Sequence, residues 1–305
     1  MADAPPPLVF DTASRPEAGR PTAILPGVVR LTANNAGPFT FTGTNSFIIG
    51  HEQVAVLDPG PRDAAHHAAL LAAIAGRRVE AIILTHTHRD HSDGVAALVR
   101  TTGAPLWFAG PHRPSRRPHL FERNMLGGSC DWRLAPDRTL VDGEPFTAGG
   151  VGLMAVATPG HCANHMSYGI DGTGWLLTGD HIMGWNSTLV GVPDGSMGDY
   201  IASMRKVIGL PYRHYAPAHG GTIADGPNYA RALLAHRLQR NEEIEAAVRA
   251  GARGISDLLT RIYPTLGGQV RVAAAMTLRA HVEYLTEIGT IRSWRTPFGL
   301  RFAPA

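Results

Sequence analysis

The stretch that most constrains this chain is VEAIILTHTHRDHSDG, residues 79–94. Residues 79–85, built around the apolar run Ala81-Ile82-Ile83-Leu84, read as a strand buried on both faces. Directly behind it come His86, His88, Asp90 and His91, four coordinating side chains within six positions. A fold that holds this segment must bury the strand and still leave its end free to present imidazoles and a carboxylate together. Alternate residues leaving a strand point the same way. His86 and His88 can therefore share one ion, while Asp90 and His91, on the incoming helical turn, can face a second. Neutral imidazole and carboxylate suit Zn²⁺ and other first-row ions.

Two closely spaced ions need more than four ligands, and three further segments offer them in the same grammar of apolar run, small turn residue, ligand. ATPGHCANHMSY presents His161 behind Val156-Ala157, WLLTGDHIMG presents Asp180 behind Trp175-Leu176-Leu177, and YAPAHGG presents His219. Ligands placed at the ends of rigid elements are held in place before any ion arrives.

The surrounding chain alternates short strands with Ala-rich helices. SFIIG (46–50) and QVAVLDPG (53–60) read as strands, 63–76 as a helix capped by Asp63 and ended by Gly76, 93–103 as a second helix, and APLWFAG as another strand. The order β-β-α-β-α-β implies a layered α/β domain with helices covering sheets. Residues 110–136 are irregular, with one short helix expected around Leu120 to Met125. After Pro227 the composition changes. Three amphipathic helices are followed by IRSWRTPFGLRFAPA, two short strands around a Pro-Phe-Gly turn. Residues 228–305 hold eleven arginines against six acids, within a chain of formal charge +3. The expected organisation is a loose tail over 1–22, a catalytic domain over 23–227 and a helical domain over 228–305.

These motifs carry a resemblance. H-x-H-x-D-H, followed by TPGH, GD and P-x-HG, resembles the metallo-β-lactamase superfamily from about Gly43 to Gly221. GTNSFIIG, THTHRDHSDG, TPGHCANHMSY and TGDHIMG also fit the β-lactamase-like protein 2 group, which includes an endoribonuclease and acyl-carrier-protein thioesterases. The resemblance implies a four-layer αβ/βα sandwich with a winged-helix-like C-terminal domain. It implies two divalent ions, zinc first with manganese or iron also suited. His86, His88 and His161 would hold one, and Asp90, His91 and His219 the other, with Asp180 bridging. Water or hydroxide between the ions would attack the substrate, and Asp90 would orient it or move a proton. Asp58, in Asp58-Pro59-Gly60, would support the cage through a hydrogen bond.

The same resemblance narrows the reaction. β-Lactamases of this fold generally lack the bridging aspartate that Asp180 would supply. Oxygen reductases of the fold carry glutamate where His88 stands. The large domain that nucleic-acid-processing members insert is absent, since only 18 residues separate His161 from Asp180. Phosphodiesters such as single-stranded RNA, thioesters, esters and lactones remain, all passing through an oxyanion. The basic C-terminal segment tilts the expectation toward a phosphodiester, with a thioester, ester or lactone as the alternative and a β-lactam behind both. A non-catalytic metal-containing binding protein would show a missing ligand, and none is missing.

Other residues carry plainer expectations. His165 is a candidate for substrate contact or hydrogen-bonded support, and His181 for ordinary hydrogen bonding. His66 and His67 are expected at the surface of their helix. Cys130 and Cys162 are expected to be inert packing residues, and two cysteines are too few for a disulfide framework. The Pro- and Ala-rich start has no positive n-region and no apolar h-region, so a cytoplasmic setting without a secretory signal is expected. No apolar run reaches the roughly 18–20 residues of a membrane span. The Arg-Pro loop at 113–118 and the hairpin residues Arg292, Trp294 and Arg295 are candidates for anion or nucleic-acid contact, with solvation or packing as the alternative. Nothing in the sequence indicates an oligomeric state.

Overall fold

The structure, a computed structural model, describes residues 7–120, 122–296 and 299–305. β1 (Thr22–Leu25), β2 (Val28–Thr32), β3 (Asn45–Ile49) and β4 (Gln53–Leu57) run as an antiparallel meander. α1 (Ala64–Ile74) then carries the chain to β5 (Arg78–Ile83), parallel to β4. α2 (Arg89–Ser92) and α3 (Val95–Thr102) lead to β6 (Leu106–Phe108) and, past an irregular stretch, to β7 (Arg138–Thr139). These strands form one seven-stranded sheet in chain order. β8 (Pro145–Ala148), β9 (Val151–Ala157), β10 (Met166–Ile170) and β11 (Trp175–Gly179) form a second meander. α4 (Met197–Ile208) crosses to β12 (His214–Pro217), parallel to β11. α5 (Gly226–Arg249), α6 (Ile255–Ile262), α7 (Gly268–Glu287) and a hairpin of β13 (Ile291–Thr296) and β14 (Gly299–Pro304) complete the chain. The expected tip of that hairpin, Pro297-Phe298, lies outside the described residues.

Strand alternation sorts the core into layers. Phe47, Ile49, Ala55 and Leu57 point between the sheets and meet Leu153, Ala155, Tyr168 and Leu177 of the second sheet. Their neighbours Ile48, Val54 and Val56 point the other way, against Leu70 and Ile74 of α1 and Leu98 of α3. On the far face of the second sheet, Val156, Leu176 and Tyr215 pack on Tyr200 and Met204 of α4 and Leu233 of α5. The result is the expected αβ/βα sandwich. A separate cluster of Ile244, Val248, Leu258, Leu278, Val282 and Phe302 holds the C-terminal helices and hairpin together. α5 belongs to both clusters, so it joins the C-terminal part to the sandwich.

Several local expectations change. Residues 7–21, read as a loose tail, lie along the body: Asp11 N donates to Gly184 O at 2.9 Å, and Ala18 bridges Thr32. The short helix expected around Leu120 to Met125 does not form among the described residues there, and the nearby turn is a 3₁₀ turn at Gly127–Ser129. The side chains explain it. Glu122 accepts from His119 N at 2.9 Å and Asn124 Oδ1 from Leu126 N at 2.9 Å, competing with helical hydrogen bonds. Glu122 also gathers Arg116, Arg279 and Arg295 at 2.7, 3.2 and 2.9 Å, and Arg116 reaches Glu283 at 2.7 Å. Arg116 of the Arg-Pro loop and Arg295 of the hairpin therefore clamp the C-terminal part to the sandwich.

His66 is a correction. It is buried, not at the surface, and its Nε2 meets Ser46 Oγ at 2.8 Å, tying α1 to β3, whereas His67 is half-buried. Burial lowers its pKa from 6.5 to about 4. A histidine held neutral in the fold contributes stability that is full above its unfolded pKa and is lost as pH falls through its folded pKa. Between pH 6.5 and 4, the span of that shift, His66 should account for about 3 kcal/mol of acid destabilisation. In denaturant titrations of wild type and His66→Gln, the variant should lose less stability over that window. Equal pH slopes would contradict the assignment.

Candidate metal centre

β10 runs antiparallel to both β9 and β11, and β12 runs parallel to β11, so β9, β11 and β12 end on the same edge of the second sheet. That edge meets the end of β5. His86 and His88 follow β5, His161 follows β9, Asp180 follows β11 and His219 follows β12. The apolar runs fix each strand, and the turn residues aim each ligand. Gly160 shows why the turn must be small: a Cβ there would stand 2.4 Å from Tyr200 Cα. At Gly179 a Cβ would stand 2.6 Å from His165 Nε2.

All seven predicted ligands converge. His88 Nδ1 stands 3.0 Å from His86 Nε2 and 2.8 Å from His161 Nε2. The opposite ring nitrogens face acceptors, which places a proton on each. His88 Nε2 donates to Asp194 Oδ2 at 3.0 Å, and His161 Nδ1 donates to Leu189 O at 2.7 Å. With both rings neutral, as metal ligation requires, the inward nitrogens are lone pairs, which cannot hydrogen-bond each other. A cation between them resolves the conflict. Ligands about 2.1 Å from one ion naturally stand roughly 3 Å apart.

The second group is built the same way. His91 Nδ1 donates to Asp58 Oδ2 at 3.0 Å and His219 Nδ1 to Gly43 O at 3.1 Å, which turns both Nε2 atoms inward. Asp90 Oδ2 stands 3.4 Å from each Nε2. Asp180 lies between the groups, with Oδ1 3.3 Å from His219 Nε2 and Oδ2 3.6 Å from both His91 Nε2 and His161 Nε2. His91 Nε2, His219 Nε2 and Asp180 Oδ1 are buried without a hydrogen-bond partner, a costly state that ions would relieve. On this test the residues fit a metal pair.

The charges agree. Burial and neighbouring imidazoles hold His86 well below its ordinary pKa and His161 down at about 4, so both are neutral ligands. Burial opposes ionisation of Asp180, yet His219 and His91 outweigh it and hold the carboxyl well below the usual range. Burial likewise opposes charge on His219, but Asp180 and Asp90 raise it to about 10. An ion entering the second group would therefore displace protons.

Supporting residues lock the cage. Asp58, whose backbone takes φ +50°, accepts from Thr85 N at 2.8 Å and Thr85 Oγ1 at 2.7 Å while holding His91. Asn45 of GTNS donates to Pro217 O and Gly220 O, both at 2.9 Å, and so fixes the His219 turn. His165 is buried, bonded to Thr158 Oγ1 at 2.8 Å, and its Nε2 accepts from Asp180 N at 3.0 Å. It thus holds Asp180 from behind. His181 is buried against the Tyr200 ring.

Two residues escaped the sequence reading. Asp194 binds His88 and also His112 Nε2 at 2.7 Å. It sits in Val192-Pro193-Asp194-Gly195, which looks like an ordinary turn, and lies 106 positions from His88. His88, Cys130 and Asp194 are close enough to suggest another ion, but Asp194 is already engaged by two imidazoles. Burial pushes the Cys130 thiol far up, so it stays protonated and donates to Leu126 O. A protonated thiol is a poor ligand.

Above the cage opens a cavity of about 970 Å³, reaching His88, Asp90, His161 and Asp180. Phe39, Met125, Trp185 and Leu266, with Val272 and Met276 of α7, line it. The C-terminal part therefore forms one wall over the candidate ions.

The model of the metallo-β-lactamase superfamily matches residues 39–219, more than half of the chain. The chain belongs to the metallo-β-lactamase superfamily. It is 28% identical over 265 residues to an atrochrysone carboxyl ACP thioesterase of Claviceps purpurea, covering 84% of this chain and 78% of the relative. It is 26% identical over 289 residues to the β-lactamase-like protein 2 homolog of Drosophila melanogaster, covering 88% and 94%. Among solved structures, a metallo-β-lactamase family protein from Thermus thermophilus superposes with a TM-score of 0.74 at 27% identity, over 93% of this chain and all of that one. The chain is thus a hydrolase of a superfamily that binds divalent metals. Among the described residues no helix is long and apolar enough to cross a membrane.

Proposed function

We propose that this chain is a two-metal hydrolase of thioesters, or related carboxylic esters, that carry a bulky apolar acyl group. The cavity carries the substrate side of this reading. Its largely apolar walls would desolvate an acyl group and seat it against the cage, which suits an ester better than a polyanionic strand. The thioesterase named among the relatives supports the same choice.

In this reading His86, His88 and His161 would hold one ion and Asp90, His91 and His219 the other, with Asp180 placed to serve both. Such ions would supply Lewis acidity, lowering the pKa of a bound water and offsetting negative charge at the attacked carbonyl. The protein does the rest. Asp194, Asp58 and the Leu189 carbonyl fix the histidine tautomers. Asp90, the most exposed carboxylate of the cage, faces the cavity and is placed to orient the attacking water and hold its proton. The walls keep bulk water from the acyl group. Residues 228–305 act as a unit that closes the cavity.

The phosphodiester reading retains one observation, the excess of eleven arginines over six acids after residue 227. Several of those arginines are already spent in ion pairs, with Glu122, Glu243 and Glu245. A panel on one zinc- or manganese-loaded sample separates the readings. It should hold benzoyl-N-acetylcysteamine, a lactone, bis(p-nitrophenyl) phosphate, single-stranded RNA and a β-lactam. The thioester should exceed the phosphodiester and the β-lactam by at least about 100-fold in kcat/KM, a difference of roughly 3 kcal/mol in barrier. Preference for RNA or the phosphodiester would overturn the proposal.

A further inference from the structure

The cavity holds an arginine without a counterion. Arg237 of α5 is only 5% exposed, yet no carboxylate pairs with it among the described residues. Its Nη2 donates to Thr188 O, its guanidinium lies 5.2 Å from the Tyr200 ring centroid, and its buried Nε has no partner. A carbonyl and an aromatic face offset part of the cost of burying a cation but leave its charge unneutralised. Arg240 and His236 line the same cavity, and His236 Nε2 is also buried without a partner. Burial and the neighbouring arginines lower the pKa of His236, so it adds a neutral imidazole rather than a further charge. The acids lining this cavity are Asp90 and Asp180, both turned to the cage. Glu243 pairs with Arg240 and is not part of the lining.

Arg237 is also close to the chemistry. It binds the carbonyl of Thr188, whose hydroxyl donates to Asp180 O at 2.7 Å. The next carbonyl, that of Leu189, holds His161. A guanidinium with free donors is suited to a carboxylate or phosphate, which it can grip through two oxygens.

We infer that Arg237, assisted by Arg240 and His236, forms an anion subsite in the cavity that binds a carboxylate or phosphate of the substrate, apart from the bond that is cleaved. This rests on the ester-hydrolase reading for its link to turnover, though not for the binding itself. Such a subsite selects substrates that are apolar in bulk and anionic at one point. The anion could sit on the acyl group or on the thiol carrier, and two arms of one experiment tell them apart.

The first arm compares 4-carboxybenzoyl-N-acetylcysteamine with its methyl ester. The second compares benzoyl-coenzyme A with benzoyl-N-acetylcysteamine. In one arm wild type should favour the anion by at least 30-fold in kcat/KM, chiefly through KM. Arg237→Gln should abolish that preference, keep the metal content and cost the anionic thioester at least 10-fold more than the neutral one. Arg237→Lys should keep most of the preference. Absence of a preference in both arms overturns the inference, and wild type alone decides this if the glutamine variant does not fold. An equal loss on charged and neutral substrates, or a loss of metal, would overturn it in favour of a purely structural role. If no thioester is cleaved, the ester reading fails separately. Calorimetry of terephthalate and inorganic phosphate with metal-loaded wild type and Arg237→Gln then decides the subsite. At least 10-fold weaker binding by the variant supports it, and equal binding refutes it.

Discussion

Asp180→Ala should abolish hydrolysis, with a loss of at least about 10³-fold in kcat/KM, roughly 4 kcal/mol of barrier. Asp180 offers Oδ1 toward His219 and Oδ2 toward both His91 and His161, so it faces both candidate ions at once. Its backbone N–H is fixed by His165, and its carbonyl accepts from Thr188, which prevents another group from swinging into its place. Alanine removes the shared ligand and leaves five histidines and one carboxylate divided between two half-sites. Metal analysis of the purified variant should show that one or both ions are lost. Full metal content with retained activity would refute a bridging role.

Asp58→Asn should be nearly as damaging, although it changes no proposed ligand and preserves shape. Asp58 accepts from Thr85 twice and from His91 Nδ1. An asparagine keeping the Thr85 N contact turns its amide N–H toward His91, a donor facing a donor. The clash favours the other tautomer, with the proton on Nε2, where a ligand needs a lone pair. Loss of a supporting carboxylate typically costs 10–100-fold in metal affinity or activity, and a wrong tautomer costs more. We expect about 10²–10³-fold in kcat/KM, with the second ion bound more weakly in equilibrium dialysis. Unchanged affinity for both ions would show that Asp58 only packs.

How far these residues could be read from sequence follows from where their partners lie. His86, His88, Asp90 and His91 were legible because their geometry is local: one strand end and one helical turn set all four. His161, Asp180 and His219 were legible because each repeats that grammar behind its own apolar run. Asp194 was not, because nothing nearby in sequence announces that a turn aspartate will meet His88 and His112 across the edge of the sandwich. His66 was misread because an Ala-rich helix gives no clear apolar face to set one histidine inward and its neighbour outward. The helix at 120–125 was overridden by side chains that cap loop backbone and gather arginines from distant elements. The cavity was invisible in sequence because its walls come from several separate segments. Only the folded chain shows that a C-terminal part read first as a basic surface supplies an apolar wall and the buried Arg237.

The central claim is that seven converging side chains hold two ions. Metal content per chain, measured after zinc or manganese loading and removal of excess ion, tests it most directly. The account predicts two ions per chain, both removed by chelation along with all hydrolysis and both restored on reloading. One ion or fewer per chain, or hydrolysis that survives complete chelation, would contradict it.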